Sequence, residues 1–354
     1  GTQVGIYSQG KGAEINIGAD GQVIGAYGVA VTGAHSTINN KGTIVASQAN
    51  AIYALAADDL HVSNNGLVTG VSGMFIAGDA PVKMSADAPA AAGLDAVLVN
   101  GAHGEIVAAY YGIAVASAVG DHTRIVNHGT IRATQGDELV IYTDEGREKV
   151  VNDGKLVGNV NLGAGDDNFD NRGGKVTGII VGNLGDDTLI TDNAKVKLTE
   201  EVGEGTADTV RSTVSYTLSD NVERLFLLGS KDIDGTGTAL DDVLHGNAGD
   251  NILKGKAGMD HLYGHKGNDK LIGGADVDYF HFKTGNGDDV ISDFQDAIDQ
   301  IDLSGWAAIT SLADLKNNHA HNQGADVIIE AGTDSLLIKG IHKADLDLVD
   351  FFTF

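Results

Sequence analysis

Five residues recur at nine-residue intervals near the C-terminal third of the chain: Asp242, Asn251, Asp260, Asp269 and Asp278. Each stands five places after a glycine, namely Gly237, Gly246, Gly255, Gly264 and Gly273, and each is followed two places later by Leu244, Leu253, Leu262, Leu271 or Phe280. The five units read GTALDDVLH, GNAGDNILK, GKAGMDHLY, GHKGNDKLI and GGADVDYFH with no gap between them. Glycine permits backbone angles that side chains forbid, so carbonyl oxygens can turn toward an ion. The sixth-position side chain adds a hard oxygen. Calcium accepts six to eight oxygens at flexible angles, whereas magnesium demands a tight octahedron. The pattern therefore predicts calcium, held by carboxylates and turn carbonyls.

These turns need a scaffold that brings them together. The first six residues of a unit predict a turn, and the last three a short strand with its middle side chain inward. Two units make one coil of 18 residues, so turns two units apart stack. That places Asp242 over Asp260, Asn251 over Asp269, and Asp260 over Asp278. The backbone ligands are expected at the first position (Gly237, Gly246, Gly255, Gly264, Gly273), at the third (Ala239, Ala248, Ala257, Lys266, Ala275) and, where it is glycine, at the fourth (Gly249, Gly258, Gly267). Leu240 and Asp276 replace the fourth-position glycine in the first and last units. Asn251 weakens its site while keeping an oxygen.

The array resembles the RTX (repeats-in-toxin) family. Its flanks carry the likeness further. Residues 203–210 (GEGTADTV), 214–218 (VSYTL) and 221–225 (NVERL) resemble the segment preceding RTX arrays. Residues 285–294 (GNGDDVISDF) and 299–305 (DQIDLSG) resemble the C-terminal cap of serralysin-type proteases and alginate epimerases. The resemblance covers about 200–354. It implies a calcium-binding β-roll, with Asp289 of the cap counted among the ligands. It also implies secretion from a bacterium, with the terminal Asp350-Phe351-Phe352-Thr353-Phe354 serving as an uncleaved signal for type I secretion machinery; an ordinary final strand is the alternative.

The first half carries a second, looser repeat. Asn-x-Gly followed two places on by an aliphatic residue appears at Asn40, Asn64, Asn127 and Asn152, with a relaxed copy at 100–106 and an earlier one at 19–23. Clear pairs lie 24 or 25 residues apart. Three short apolar pulses per repeat predict a right-handed parallel β-helix, since each coil buries little alone and stacking builds the core. The asparagines would then stack as amide ladders. The interval from Gly66 to Gly104 is 38 residues and holds both prolines, Pro81 and Pro89, in an emergent loop. At 162–169 and 182–189 the two themes merge in acidic turns 20 residues apart. Asp167 and Asp187 could share a calcium there, or the turns could simply be solvated.

The expected organisation is all-β: a parallel β-helix over 1–195, a bridging β segment over 196–236, the β-roll over 237–281, and a cap with secretion signal over 282–354. A hairpin is expected from 327–330 and 336–339, and a short helix at 311–316. A chain opening on Gly rather than Met reads as a fragment or a processed product.

Bulk composition narrows the function. The 354 residues carry 50 glycines, 2 prolines, no cysteine and a formal charge of −26. Such acidity repels nucleic acid. Absence of cysteine excludes disulfides and thiol catalysis. No run is long enough for a membrane helix. There is no His-Glu-x-x-His and no Gly-x-Ser-x-Gly. A polysaccharide lyase or epimerase would suit a β-helix groove, with Tyr110, Tyr111, His122, Arg124, His128 and Arg132 as loose candidates. No catalytic residue is assigned. The expectation is a secreted calcium-binding scaffold or adhesin, facing extracellular polysaccharide or a cell surface; the alternative is a carbohydrate-active enzyme or polysaccharide-binding module.

Overall fold

The computed structural model describes residues 4–55, 59–77, 95–118, 120–136 and 138–353. The proline-bearing excursion expected between Gly66 and Gly104 falls within 78–94, outside the described residues. Among the described residues the chain is β-stranded almost throughout, and no helix is long and apolar enough to cross a membrane. It divides into two compact units, 1–190 with 196–205, and 191–195 with 206–354.

The first unit is a parallel β-solenoid. Each coil contributes short strands to separate faces, as in Thr37–Asn40, Thr43–Ala46 and Asn50–Leu55. Successive coils pair in parallel register, one above the next. Alternation sets which side chains enter. Ile15, Ile38, Val62, Leu98, Ile125, Val150, Phe169 and Leu189 follow one another in register and all are buried. Each such burial contributes ~1.5–3 kcal/mol. No single coil could supply a core, so the column matters more than any member.

The asparagines form the predicted ladder. Asn40 Nδ2 donates to Asn64 Oδ1 at 2.8 Å, Asn64 to Asn100 at 2.9 Å, Asn100 to Asn127 at 2.8 Å, Asn127 to Asn152 at 2.7 Å, and Asn152 to Asn171 at 2.6 Å. All six are buried, so each amide is satisfied by its neighbours where water is excluded. Asn171 extends the ladder past the last marker read from the sequence. Glycines beside the ladder allow the close stacking: a Cβ on Gly129 would overlap Gly104 O, and one on Gly154 would overlap Gly129 O.

The second unit has two sheets of parallel strands facing each other across a narrow core. One contains Val243–His245, His261–Tyr263, Tyr279–Lys283 and Gln300–Gly305. The other contains Gly235–Thr236, Ile252–Ala257, Lys270–Ala275, Asp288–Ile291 and Asp334–Ile338. Leu244, Leu253, Leu262, Leu271 and Phe280 are each 0 % exposed, so the eighth position of every unit is core. Strands 252–257 and 270–275 run three residues beyond the expected length, because Lys256 pairs with Gly274 across the turn strip.

The cap closes this core. Asp326–Ala331 and Asp334–Ile338 form the antiparallel hairpin. Ser311 caps the short helix Leu312–Asp314, which continues as a wider turn through Leu315–His319. Leu315 of that turn is buried, as is Trp306, which packs on Phe282 at 6.3 Å between ring centroids. Phe351–Thr353 pairs in parallel with Gln300–Gly305, and Asp350 is fully buried, accepting from Asp347 N and Ala297 N.

Candidate metal centre

The sixth-position side chains form two ladders in the second unit, one along each edge. On the first, Asp242 N donates to Asp260 Oδ1 at 2.9 Å, Asp260 N to Asp278 Oδ1 at 3.1 Å, and Asp278 N to Asp299 Oδ1 at 3.1 Å. On the second, Asn251 N donates to Asp269 Oδ1 at 2.7 Å and Asp269 N to Asp289 Oδ1 at 2.9 Å. Asp242, at the head of its ladder, is held by Thr238 of its own unit, while one carboxylate oxygen of Asp260, Asp269, Asp278, Asp289 and Asp299 is thereby fixed by the coil before it. The other is left over: Oδ2 of Asp260, Asp269, Asp278 and Asp289, and Oδ1 of Asp242, are buried and accept no hydrogen bond. Five carboxylate oxygens without donors in a dry turn strip is a costly arrangement unless a cation faces them.

Electrostatics say the same. Burial pushes Asp260 up to about 8, with Asp242 and Asp278 adding to the rise. Burial also pushes Asp269, Asp278 and Asp289 up to about 7, and Asp242 and Asp299 up to about 6. In the absence of metal Asp260 is protonated at neutral pH and Asp269, Asp278 and Asp289 are partly so, and a divalent cation would compete with those protons.

The glycines make room for the carboxylates. A Cβ on any of Gly237, Gly255, Gly264 or Gly273 would meet the sixth-position carboxylate of its own unit, and one on Gly246 would meet Asn251 Oδ1. Gly258 and Gly267 have φ of +98° and +119°. Gly249 has no room for a Cβ either, which would press on the Lys231 backbone. Third-position side chains stand at or near the surface, so Ala239, Ala248, Ala257, Lys266 and Ala275 could contribute only their backbone oxygens. Of the departures, Asp276 adopts φ +78° in place of glycine, and Thr238 closes the first unit by donating N–H and hydroxyl to Asp242 Oδ2 at 2.5 and 3.1 Å. Asn251 is fully engaged: Oδ1 accepts from Asn247 N at 2.7 Å, and Nδ2 donates to Ile233 O at 2.6 Å.

A donor set of anionic and carbonyl oxygens, with no nitrogen or sulfur, fits a hard cation. Residues 236–264, 245–280 and 254–291 match the RTX calcium-binding nonapeptide repeat, in four copies. The chain carries calcium-binding RTX repeats. No curated protein sequence matches the chain. Among solved structures it resembles the extracellular lipase LipA from Serratia marcescens, at 18 % identity over 59 % of this chain and 40 % of that one, with a TM-score of 0.31. The chain thus spans less than half of the lipase, and at that score the likeness carries no argument.

Sequence reasoning missed parts of the ladder. Asp299 lies 21 residues after Asp278, and the lengthened coil hides it from a nine-residue count. Asp208 N donates to Glu223 Oε2 at 2.9 Å, the same link made by glutamate upstream of the RTX units. In the first unit Asp167 N donates to Asp187 Oδ1 at 2.8 Å, and both carboxylates are buried. Glu200, unforeseen, accepts from Asn183 N at 3.0 Å in that neighbourhood.

The loose catalytic candidates do not converge. Arg132 lies 3.5 Å from Glu105, His128 is 2.6 Å from Asp153, and Tyr111 packs on Tyr142 at 5.7 Å between centroids. Tyr110 is 45 % exposed. His122 and Arg124 share an open depression that also holds His61 and Lys149.

Proposed function

We propose that the chain is a secreted scaffold whose second unit folds when it meets extracellular calcium, the ions lying between stacked turns. The proposed ligands are Asp242, Asn251, Asp260, Asp269, Asp278 and Asp289, the glycine and third-position carbonyls beside them, and Asp167 with Asp187 in the first unit. The observation that carries this reading is the row of buried carboxylate oxygens with no donor. Without the ion those turns repel one another; with it they become the glue between coils. Metal binding and folding are then one equilibrium. Extracellular calcium modules bind at about 10⁻⁴–10⁻³ M, so the chain stays open in a calcium-poor cytosol, passes an export channel unfolded, and folds outside. Circular dichroism and thermal melting during calcium titration, with magnesium as control, test it. A cooperative melt of the second unit that is low in chelator and raised steeply by millimolar calcium, but not by magnesium, supports the reading; a second unit fully folded in chelator and indifferent to calcium overturns it.

A second reading, polysaccharide binding by the first unit, is favoured by one line of aromatic residues. Tyr7, Ala30, Tyr53 and Phe75 follow in register on the face of the strands turned away from the core column; Tyr7 is exposed, Tyr53 half-buried, and Ala30 and Phe75 are covered, with Tyr53 and Phe75 stacked at 5.6 Å and Tyr27 beside Tyr53 at 6.2 Å. They line an open depression of about 440 Å³ with Asn50 and Thr32 at its edge and no charged side chain. Sugar rings stack on such faces. Retention of the chain on immobilised neutral glycans, lost in Tyr53→Ala, would support this role; equal retention of wild type and variant would remove it.

A further inference from the structure

Glu148 is a buried carboxylate that the RTX repeats do not explain. It lies in the first unit, outside the matched residues, and is 2 % exposed. Neither of its oxygens completes a hydrogen bond. Of the two nearby hydroxyls, Thr143 Oγ1 donates to Leu162 O, while Ser117 Oγ accepts from Gly146 N at 3.0 Å and has its own O–H left to turn toward the carboxylate, one neutral donor for a group whose raised titration shows that its burial is not offset. The other groups facing it are carboxyls, those of Asp121 and Asp167. The adjacent Arg147 turns outward to pair with Asp166 at the surface and leaves the interior negative.

The local backbone repeats the linkage of the calcium turns. Glu148 N donates to Asp167 Oδ1 at 2.6 Å, and Asp167 N to Asp187 Oδ1 at 2.8 Å. Asp167 Oδ2, like Oδ2 of Asp260 or Asp278, is buried with no donor. Gly163 and Gly165 have φ of +86° and +127°, and a Cβ on either would overlap carbonyls of the preceding turn, those of Asp144 and Gly146. So carbonyl oxygens and two carboxylates meet in a turn strip 143–148 over 162–167. The sequence Thr-Asp-Glu-Gly-Arg-Glu hides this, having one glycine and a glutamate where the repeat has aspartate. Glu223 shows that a glutamate reaches the same place in the ladder.

We propose that Glu148 and Asp167 hold a further divalent cation of calcium's size between turns 143–148 and 162–167, outside the RTX array. The inference extends the calcium reading of the array but stands on its own residues. A lone buried glutamate among carboxyls is otherwise stable only as a protonated acid sharing its proton with Asp167. The ion ties the last coils of the first unit together, so calcium organises both units rather than one.

The test is a calcium count on the full chain by equilibrium dialysis at neutral pH, comparing wild type, Glu148→Gln, Asp278→Asn and the double variant. Glu148→Gln is expected to bind one ion fewer, to keep the array's ions, and to lose in addition to Asp278→Asn. If Glu148→Gln binds as many ions as wild type with the same affinity, the site does not exist and the protonated pair is the correct account. If wild type loses nothing on Asp278→Asn, the array reading fails instead, and the two failures are told apart. Should Glu148→Gln not fold in calcium, Glu148→Asp keeps the charge and withdraws the oxygens; about tenfold weaker binding of one ion supports the site, and unchanged binding of every ion overturns it.

Discussion

The backbone N–H of Asp242 donates to Asp260 Oδ1 at 2.9 Å, while Asp260 Oδ2 is buried beside it with no donor. One residue thus has one oxygen committed to the fold and one reserved. The consequence is a pH dependence that calcium reverses. Burial raises Asp260 to about 8 and Asp269, Asp278 and Asp289 to about 7, against about 3.9 in the unfolded chain. A raised carboxyl favours the fold while protonated, so this contribution is complete below the unfolded value and is lost as pH rises through 7 to 8. Metal-free protein should therefore melt lower as pH goes from about 6.5 to 8. Calcium affinity should climb over the same window, since binding displaces protons. Melts in chelator and in millimolar calcium check both; a metal-free melting temperature that rises across the window contradicts the assignment.

Asn251 is the one amide among the sixth positions, and its hydrogen bonds say what Asn251→Asp does. The substitution places a carboxylate oxygen against Ile233 O, which now accepts Nδ2 at 2.6 Å. Metal-free stability should fall by ~1–3 kcal/mol for the lost bond and facing acceptors. Calcium affinity at the Asn251–Asp269 edge should rise instead. Opposite movements of the melting temperature in chelator and in calcium are the expected result.

The legible part of this structure is periodic. Leu244, Leu253, Leu262, Leu271 and Phe280 announce the core because every ninth residue meets the same environment, and Asn40 to Asn152 announce the amide ladder for the same reason. Where the coil length changes, the signal goes. Asp299 continues its ladder after 21 residues, and Asn171 follows Asn152 by 19. Glu148 fails on residue type as well as spacing. Hydrogen bonds between coils join residues at whatever separation the loop allows, and a fixed count cannot follow them. The catalytic candidates differ: His128 and Arg132 are suggestive residue types, but each faces an acidic neighbour on an adjacent coil, Asp153 and Glu105 respectively.

Two glycines in this region separate backbone strain from steric overlap. Gly267 has φ +119°, and a Cβ there would overlap Gly249 O; Gly285 has φ +87° with open space around it. Gly285→Ala should cost about 1–2 kcal/mol for the left-handed backbone alone. Gly267→Ala must also spread two stacked turns, and should weaken calcium binding along with stability. Equal losses in the two variants would show that the turns do not need the close approach.

Asn127 sits inside the amide ladder, donating to Asn152 and accepting from Asn100. Asn127→Ala leaves two buried amide groups without that partner, each at a cost of ~1–3 kcal/mol. The loss should be the same with and without calcium, because the ladder lies on a corner of the first unit that no proposed ligand shares. Chemical denaturation of wild type and variant in chelator and in calcium measures it, and a calcium-dependent difference would mean that the ladder and the ions are coupled.

His245 supplies the opposite pH sign from the carboxylates. It stacks between Phe226 and Tyr263 at 4.3 and 4.4 Å, and its Nδ1 lies 3.0 Å from His265 Nε2. Burial pushes it down to about 4, helped by the like charges of His265, His281, Arg224 and Lys283. A depressed histidine favours the fold while neutral, so its contribution is present above the unfolded value of about 6.5 and is lost as pH falls toward 4. His245→Phe keeps the stack and cannot charge. With calcium saturating, the variant's melting temperature relative to wild type should improve between about pH 7 and pH 5. Both proteins share every carboxylate ligand, so acid release of calcium cancels in the comparison, and a difference that stays flat would place the acid sensitivity outside this ring stack.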